Sequence, residues 1–474
     1  MGIDITSFYI YRWRYYIGYG LIGLLLIALL VLIGLYVPGG ISADEKASVI
    51  KSANIQFNDI SSLAVTNLPY HMLQQLSFHF FGVYDFSIKL PSLILAFISA
   101  VGLILLLRRW FKANIAVLSA TIAITTGQFV FIAQSGNASI LYILWPVWLL
   151  LIGTYIAKKV GNRFVWKTLF FVVAALSLYT PLSIYALVAL GTACILHPHL
   201  RFIIRSLSKA RMAVGMVLAL LIAMPLILGV IKSPSLGLSL LGVPLQWPDF
   251  IANVNTLASQ YLGFWVASTT NLMTPVFGLG SVIIICLGIY RLIKTRESTQ
   301  SYLIIIWLVS LLPILVINPV FTSITFLPLV LLMATGLASL LSYWYRLFPR
   351  NPYARIAGLI PLIVLVSTLI LTGLERYSYG YYYDPNTVPN FSKDLSLIPK
   401  DTTQLVVSQD ELAFYTIVAT YNKTFSVALM PTEPTFVATH DAHQLSTTYT
   451  IRKIISSTAV NDADRFYIYK KTGL

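Results

Sequence analysis

The sequence is short of acid, nearly free of cysteine, and has no charged residue inside its longest apolar runs. Its 474 residues carry 17 Asp and Glu against 32 Lys and Arg. The two cysteines, Cys194 and Cys286, lie in or beside apolar stretches, so neither a disulfide framework nor a cysteine metal site is expected. His71 and His79 have no third ligand at metal-like spacing, which argues against structural zinc. The absence of a Walker loop and of a Rossmann glycine fingerprint argues against a soluble enzyme using ATP or a nucleotide sugar. Ion-coupled carriers generally need ionisable groups within the bilayer, and apolar cores without Asp, Glu, Lys or Arg count against that class.

Apolar sequence dominates instead. Strong runs fall near 17–37, 90–107, 113–133, 137–157, 168–182, 183–199, 212–231, 269–290, 301–318, 320–342 and 356–374. Most have the length that a hydrocarbon layer about 30 Å thick demands of a helix. Basic clusters mark alternate connections: Arg12 and Arg14; Arg108, Arg109 and Lys112; Lys158, Lys159, Arg163 and Lys167; Arg201, Arg205, Lys209 and Arg211; Arg291, Lys294 and Arg296; and Arg346, Arg350 and Arg355. Only Asp4 and Glu297 oppose them there. The positive-inside rule then sets the N-terminus inside and the C-terminus outside. The formal charge of +15 is thus a topological signal and implies no nucleic-acid partner. The expected fold is a polytopic α-helical membrane protein with about eleven spanning helices.

Two regions are expected, a transmembrane domain over 1–374 and an extracytoplasmic domain over 375–474. Long outer connections occupy roughly 38–89 and 232–268. Residues 402–430 read as a short strand, a helix begun near Asp410 and a strand around Phe425–Met430, with a helix or strand near Thr450–Ile455 and a last strand over Arg465–Tyr469, a small mixed α/β unit. The tyrosine-rich run Tyr377–Tyr383 reads first as an aromatic belt and second as a head-group or sugar site. Asn422–Lys423–Thr424 matches a glycosylation sequon.

In the first outer connection Ala47, Ile50, Ala53 and Phe57 recur at helical spacing. A second stretch places Tyr70, Leu73, Ser77 and Phe80 on one face and His71, Gln74 and Phe78 on the other. Two short interfacial helices are expected, holding Asp44 and Glu45 on a platform near the membrane surface. A carboxylate within about 3 Å of an acceptor hydroxyl can take its proton as a new bond forms. A departing lipid phosphate needs positive charge rather than an acid, and Lys89 is the candidate, with Lys46, Lys51 and Lys232 weaker. The plain alternative is that Asp44 caps a helix and Lys89 snorkels. In the second outer connection Trp247, Asp249, Tyr261 and Trp265 suit sugar stacking and hydroxyl binding, or an ordinary aromatic anchor.

The segments "ADEKASV" and "NLPYHMLQQLSFHFFGVYDFSIKLPS" resemble the start of the polyprenyl-phosphate-sugar-dependent glycosyltransferases of the GT-C class, in their bacterial protein O-mannosyltransferase-like and aminoarabinose-transferase-like branch. The motif likeness covers roughly residues 39–91. It implies Asp44 as catalytic base and Glu45 as a second catalytic acid that positions substrate or contacts a divalent cation; no cofactor is otherwise expected. It further implies Lys89 at the donor phosphate and Tyr70 and His71 at the substrates; Lys232 is added at the phosphate where family bases are replaced, and Trp247 and Asp249 are added as substrate candidates from their own chemistry. Gln134 in "FIAQSGNAS" stands where relatives often carry Arg, and residues 324–328 replace a later Arg–Tyr. The implied reaction moves a sugar with inversion, from a polyprenyl-phosphate donor to a lipid, glycan or protein acceptor outside a bacterial plasma membrane. A lipid-intermediate flippase or a non-enzymatic envelope assembly protein is the alternative.

Overall fold

A computed structural model describes residues 41–347 and 359–472 with short gaps at 57, 60, 159–162, 206–208, 245, 264–272, 274, 385–386, 388–393, 444–447 and 457–464, and scattered positions elsewhere. About half of the apolar run over 17–37, with Arg12, Arg14 and Trp265, lies outside the described residues. The helices are α1 (Ala43–Ala53), α2 (Leu68–Phe81), α3 (Asp85–Trp110), α4 (Ala113–Ile124), α5 (Gly127–Gln134), α6 (Leu141–Ala157), α7 (Arg163–Ser177) and α8 (Ser183–Leu196). They continue as α9 (Pro198–Arg205), α10 (Lys209–Lys232), α11 (Pro234–Leu241), α12 (Phe250–Leu262), α13 (Leu279–Lys294), α14 (Thr299–Ile317), α15 (Phe326–Leu347), α16 (Leu359–Glu375) and α17 (Leu412–Asn422).

The chain is a multi-pass membrane protein. Among the described residues six helices are long and apolar enough to cross a bilayer, and two bent pairs qualify when each is taken together. Both bends depart from the continuous helices that the apolar runs suggest. The run over 113–133 breaks into α4 and α5 at 58°. There the Thr126 hydroxyl donates to Ala123 O at 2.7 Å and accepts from Phe129 N, ending one helix and capping the next. The run over 183–199 turns by 92° between α8 and α9. His197 is extended ahead of Pro198, because proline disfavours helical backbone in the residue before it.

The core of the bundle joins α3 to α4 and α6, α6 to α7, α7 to α10, α8 to α14, and α15 to α4 and α13. The α13–α15 crossing is made close by Gly288 and Gly336, where a Cβ would meet the backbone oxygens of Leu332 and Ile284.

The C-terminal unit is a five-stranded sheet, β1 (Gln404–Val406), β2 (Ser426–Ala428), β3 (Thr435–Ala438), β4 (Tyr449–Ile455) and β5 (Phe466–Lys471), in the order β2-β1-β3-β5-β4. β1 runs parallel to β2 and β3, whereas β5 is antiparallel to β3 and β4. Short β3 between Pro431, Pro434 and His440 is the strand that the sequence pattern does not announce. The sheet is not a free appendage. Ile41, Val49, Phe78, Val83 and Ile88 share one apolar core with Leu405, Phe414, Tyr415 and Val418. Lys46 pairs with Glu411 at 3.5 Å. The Asn422 side chain accepts from Val83 N at 2.7 Å and donates to Val83 O at 2.8 Å, so the amide of the sequon serves as a clamp.

Candidate functional site

The site forms where α1, α2, the head of α3 and the segment after α5 meet. Ser42 starts α1 with a reciprocal capping box: its hydroxyl accepts from Glu45 N at 3.3 Å, and Glu45 Oε2 accepts from Ser42 N at 2.8 Å. This turns Glu45 inward. Its Oε1 accepts from Gly136 N and lies 3.9 Å from Lys89 Nζ. Both charged side chains are fully buried. A buried pair survives only when its remaining polar capacity is met, and here backbone N–H groups on two sides of the carboxylate help to meet it. Gly136 is required by the close approach, since a Cβ there would sit 2.6 Å from Ile88 Cγ2 and 3.2 Å from Glu45 Oε1.

Gln74 ties the second helix to the same point. Its Nε2 donates to Ile88 O and Gly136 O, both at 3.0 Å, which fixes the amide orientation. Gln74 Oε1 therefore accepts from Ser48 at 2.9 Å and Ser52 at 2.6 Å. Ser52 Oγ also meets Ser48 O at 2.9 Å and His71 Nδ1 at 2.8 Å. Burial, assisted by Lys51, pushes the His71 imidazole down to about 4, and the ring is neutral at pH 7. Tyr70 OH meets Ser92 Oγ at 2.9 Å, and Ser92 donates to Ser135 O.

The face of α2 that enters the protein is thus the polar one. Tyr70, His71, Gln74, Ser77 and Phe78 are buried, while Met72, Leu73, Leu76 and Phe80 face outward. This corrects the expected grouping of Tyr70, Leu73, Ser77 and Phe80 on one side. An interfacial helix with lipid against one flank and a polar network against the other needs no apolar inner face.

The structure separates the expected site residues into three groups. Glu45, Lys89, Tyr70 and His71 converge in the buried network. Asp44, one residue from Glu45 in the first turn of α1, is exposed at its edge. The rest lie elsewhere. Lys232 ends α10, exposed, close enough to help hold the Asp59 carboxyl below its usual range, after the larger effect of hydrogen bonds from Ser61. Trp247 is 89% exposed, and Asp249 caps α12 by accepting from Ile251 N and Ala252 N at 3.0 and 3.1 Å. Glu45 is a poor metal ligand here: N–H donors meet its two oxygens and an ammonium sits beside them. Among the described residues no three His, Cys, Asp or Glu side chains cluster as a cation site would require. Sequence reading missed Ser48, Ser52, Gln74 and Gly136, although Ser48 and Ser52 stand at helical spacing on one face. It also singled out Gln134, which is fully buried with neither amide atom hydrogen-bonded among the described residues.

A multi-spanning bundle with two helices lying at its end and a small mixed sheet packed on them defines a GT-C-type membrane fold. The fold is similar to that of ArnT from Cupriavidus metallidurans bound to undecaprenyl phosphate, at TM-score 0.53 and 12% identity over 95% of this chain and 98% of that one. An oligosaccharyltransferase from Archaeoglobus fulgidus superposes more loosely, at TM-score 0.48 and 13% identity over 85% of this chain and 63% of that one. No protein-family model matches the sequence, and no curated protein matches it.

Proposed function

We propose that this protein is a membrane glycosyltransferase that moves a sugar from a polyprenyl-phosphate donor to a cell-envelope acceptor on the extracytoplasmic face of a bacterial plasma membrane. The observation that carries this reading is the unequal treatment of two adjacent acids. Glu45 is consumed by Ser42, Gly136 and Lys89, and that lock holds Asp44 at the surface on a first turn that cannot drift. In the reaction, Asp44 takes the proton of an acceptor hydroxyl while the acceptor oxygen bonds to the anomeric carbon. The bond from that carbon to the phosphate oxygen breaks in the same displacement, with inversion, and polyprenyl phosphate leaves. Lys89 contributes by holding Glu45, and exposed Lys232, which lies near Asp59 beyond the end of α1, is the cation we assign to the departing phosphate. A divalent cation, if the reaction uses one, belongs with Asp44 and the donor phosphate rather than with Glu45.

Two further features support the reading. Small-ligand sites typically span about 300–1,000 Å³, and a groove of about 730 Å³ runs along the outward flank of α2, lined by Met72, Leu73, Leu76, Leu95, Leu144 and Trp145. It offers an apolar bed to a polyprenyl tail. The fold shared with a protein bound to undecaprenyl phosphate fits the same donor class.

The test is Asp44→Asn in purified protein reconstituted with polyprenyl-phosphate sugar and a panel of envelope acceptors. Transfer should fall by roughly 10²–10⁴-fold, the range for loss of a general base, with the thermal midpoint unchanged. Turnover at the wild-type rate would remove Asp44 from the mechanism.

A further inference from the structure

The tyrosine run at the end of α16 takes no part in the site around Glu45, and it divides in two. Tyr377 and Tyr381 turn onto α5: Tyr381 is buried and stacks on Phe131 at 4.5 Å and 20°, with Tyr377 packed beside them. Tyr379 and Tyr383 are 65% and 64% exposed, and their rings stack on each other at 6.5 Å and 17°. The chain widens into a π-helix over Arg376–Tyr381, a geometry that recurs at functional sites. An aromatic belt accounts for the exposed rings but not for what stands beside them.

Tyr379 lines a cavity of about 370 Å³ walled by the starts of α5 and α13 and the end of α16, with Glu375 and Arg376 also in its wall. Arg376 is half-buried, and its Nη2 donates to Met273 O and Pro275 O, which fixes the guanidinium in place. Its Nε and Nη1 have no hydrogen-bond partner among the described residues, and the guanidinium makes no ion pair there. Backbone carbonyls orient an arginine without neutralising it, and the fork that remains suits a carboxylate. α13 adds further donors. Gly278 begins that helix with no side-chain cap, so N–H groups of the first turn are left for another acceptor. Ser281, in the same turn, lines the cavity at 5% exposure, and its hydroxyl has no partner among the described residues. A polar group so enclosed is costly until something completes its hydrogen bonds.

We propose that this cavity binds an acidic sugar, with its carboxylate between Arg376 and the start of α13, its ring against Tyr379 and a hydroxyl donating to Glu375. The size fits one unit: 370 Å³, at about 30 Å³ for each water-sized group, holds about twelve non-hydrogen atoms, close to one hexuronate. A bare anion would meet Arg376 and α13 but leave the tyrosine face uncovered and stand near the Glu375 carboxylate. A neutral sugar would suit Tyr379 and Glu375 but leave the guanidinium without its anion. Gly127 at this cavity and Gly136, which bonds Glu45, lie at the two ends of α5, whose 8 residues rise about 12 Å. A sugar held here is therefore a unit of the acceptor glycan away from the hydroxyl that reacts. That role rests on the transfer proposed above, whereas the binding does not.

The experiment titrates the full-length protein in detergent with methyl glucuronide or methyl glucoside and reads binding by saturation-transfer NMR, with inorganic phosphate as competitor. It needs neither donor nor turnover, so it reads the site even where transfer fails. The glucuronide should saturate and bind at least about tenfold more tightly than the glucoside. Arg376→Gln should weaken the glucuronide about tenfold. Tyr379→Ala, which removes an exposed ring, should weaken it about fourfold with the thermal midpoint unchanged. Equal binding of the two glycosides, or no saturable binding, overturns the proposal. Phosphate that displaces the glucuronide with equal affinity overturns it too, since the cavity would then select an anion and no sugar. So does undiminished binding in Tyr379→Ala, a readout that stands even where Arg376→Gln folds poorly.

Discussion

The connections over 38–89 and 232–268 both set acids and aromatics beside lysine, yet their acids meet different fates. In the first, separate elements converge: α1 brings Glu45, Ser48 and Ser52, α2 brings His71 and Gln74, α3 brings Lys89, and the turn after α5 brings Gly136. In the second, Asp249 bonds only to the helix it begins, and Trp247 stands in the open beside Phe250. Composition does not separate these cases. What separates the two acids is whether groups from distant parts of the chain satisfy them away from water, as they do Glu45 and not Asp249. Further along, the second connection also reaches across, through Asn253 to Val316 O and Ile317 O and through Tyr261 to Thr325. Where a buried acid is satisfied in this way, geometry becomes fixed, and a neighbouring exposed group such as Asp44 inherits that rigidity.

The sharpest way to break this contrast is to strand one charge of the buried pair. Glu45→Gln or Lys89→Met alone should each cost roughly 3–5 kcal/mol, the range for an uncompensated buried charge. The loss would appear as a large fall in thermal midpoint and in yield from detergent. The double variant should recover much of it, since the stranded charge is then removed. Single variants with unchanged midpoints would mean that the pair is open to water.

A smaller effect comes from His71. Its imidazole is held near 4 in the folded protein, against an ordinary value of 6.5, so protonation favours the unfolded chain. Stability is fully present above pH 6.5 and drains away as the pH falls toward 4, by at most about 3 kcal/mol. Thermal midpoints across that interval should decline more steeply in wild type than in His71→Gln. Parallel declines would show that the ring titrates freely.

Much of this was legible in the sequence because membranes impose coarse rules. Apolar length and basic flanks announce spanning helices, and the Asp44–Glu45 pair with the segment leading to Lys89 announces a platform at the first connection. Breaks inside apolar runs were harder to see. Thr125–Thr126 and His197–Pro198 redirect helices through local hydrogen bonding and proline geometry, which hydropathy does not register. The division of labour between Asp44 and Glu45 was out of reach as well. It depends on the contact with Gly136, which lies 91 residues away along the chain. Likewise the inward polar face of α2 follows from what packs against it, since its own sequence has polar residues on both flanks.

The smallest expected effects test whether the second connection contributes to the reaction at all. Asp249→Ala removes two hydrogen bonds at the start of α12 and should cost about 1 kcal/mol of stability, as loss of a helix cap does. If capping is its whole role, kcat and KM for transfer stay at their wild-type values. Trp247 has the opposite profile. Its ring is too exposed to hold the fold, so Trp247→Ala should leave the thermal midpoint unchanged. If the ring stacks on a sugar of the acceptor, removing it raises KM severalfold, about 1 kcal/mol in binding, while kcat is kept. A KM unchanged in both variants would take Trp247 and Asp249 out of the substrate contacts, because neither ring nor cap would then touch what is bound, and would leave the reaction to the platform of α1 and α2 and to Lys232.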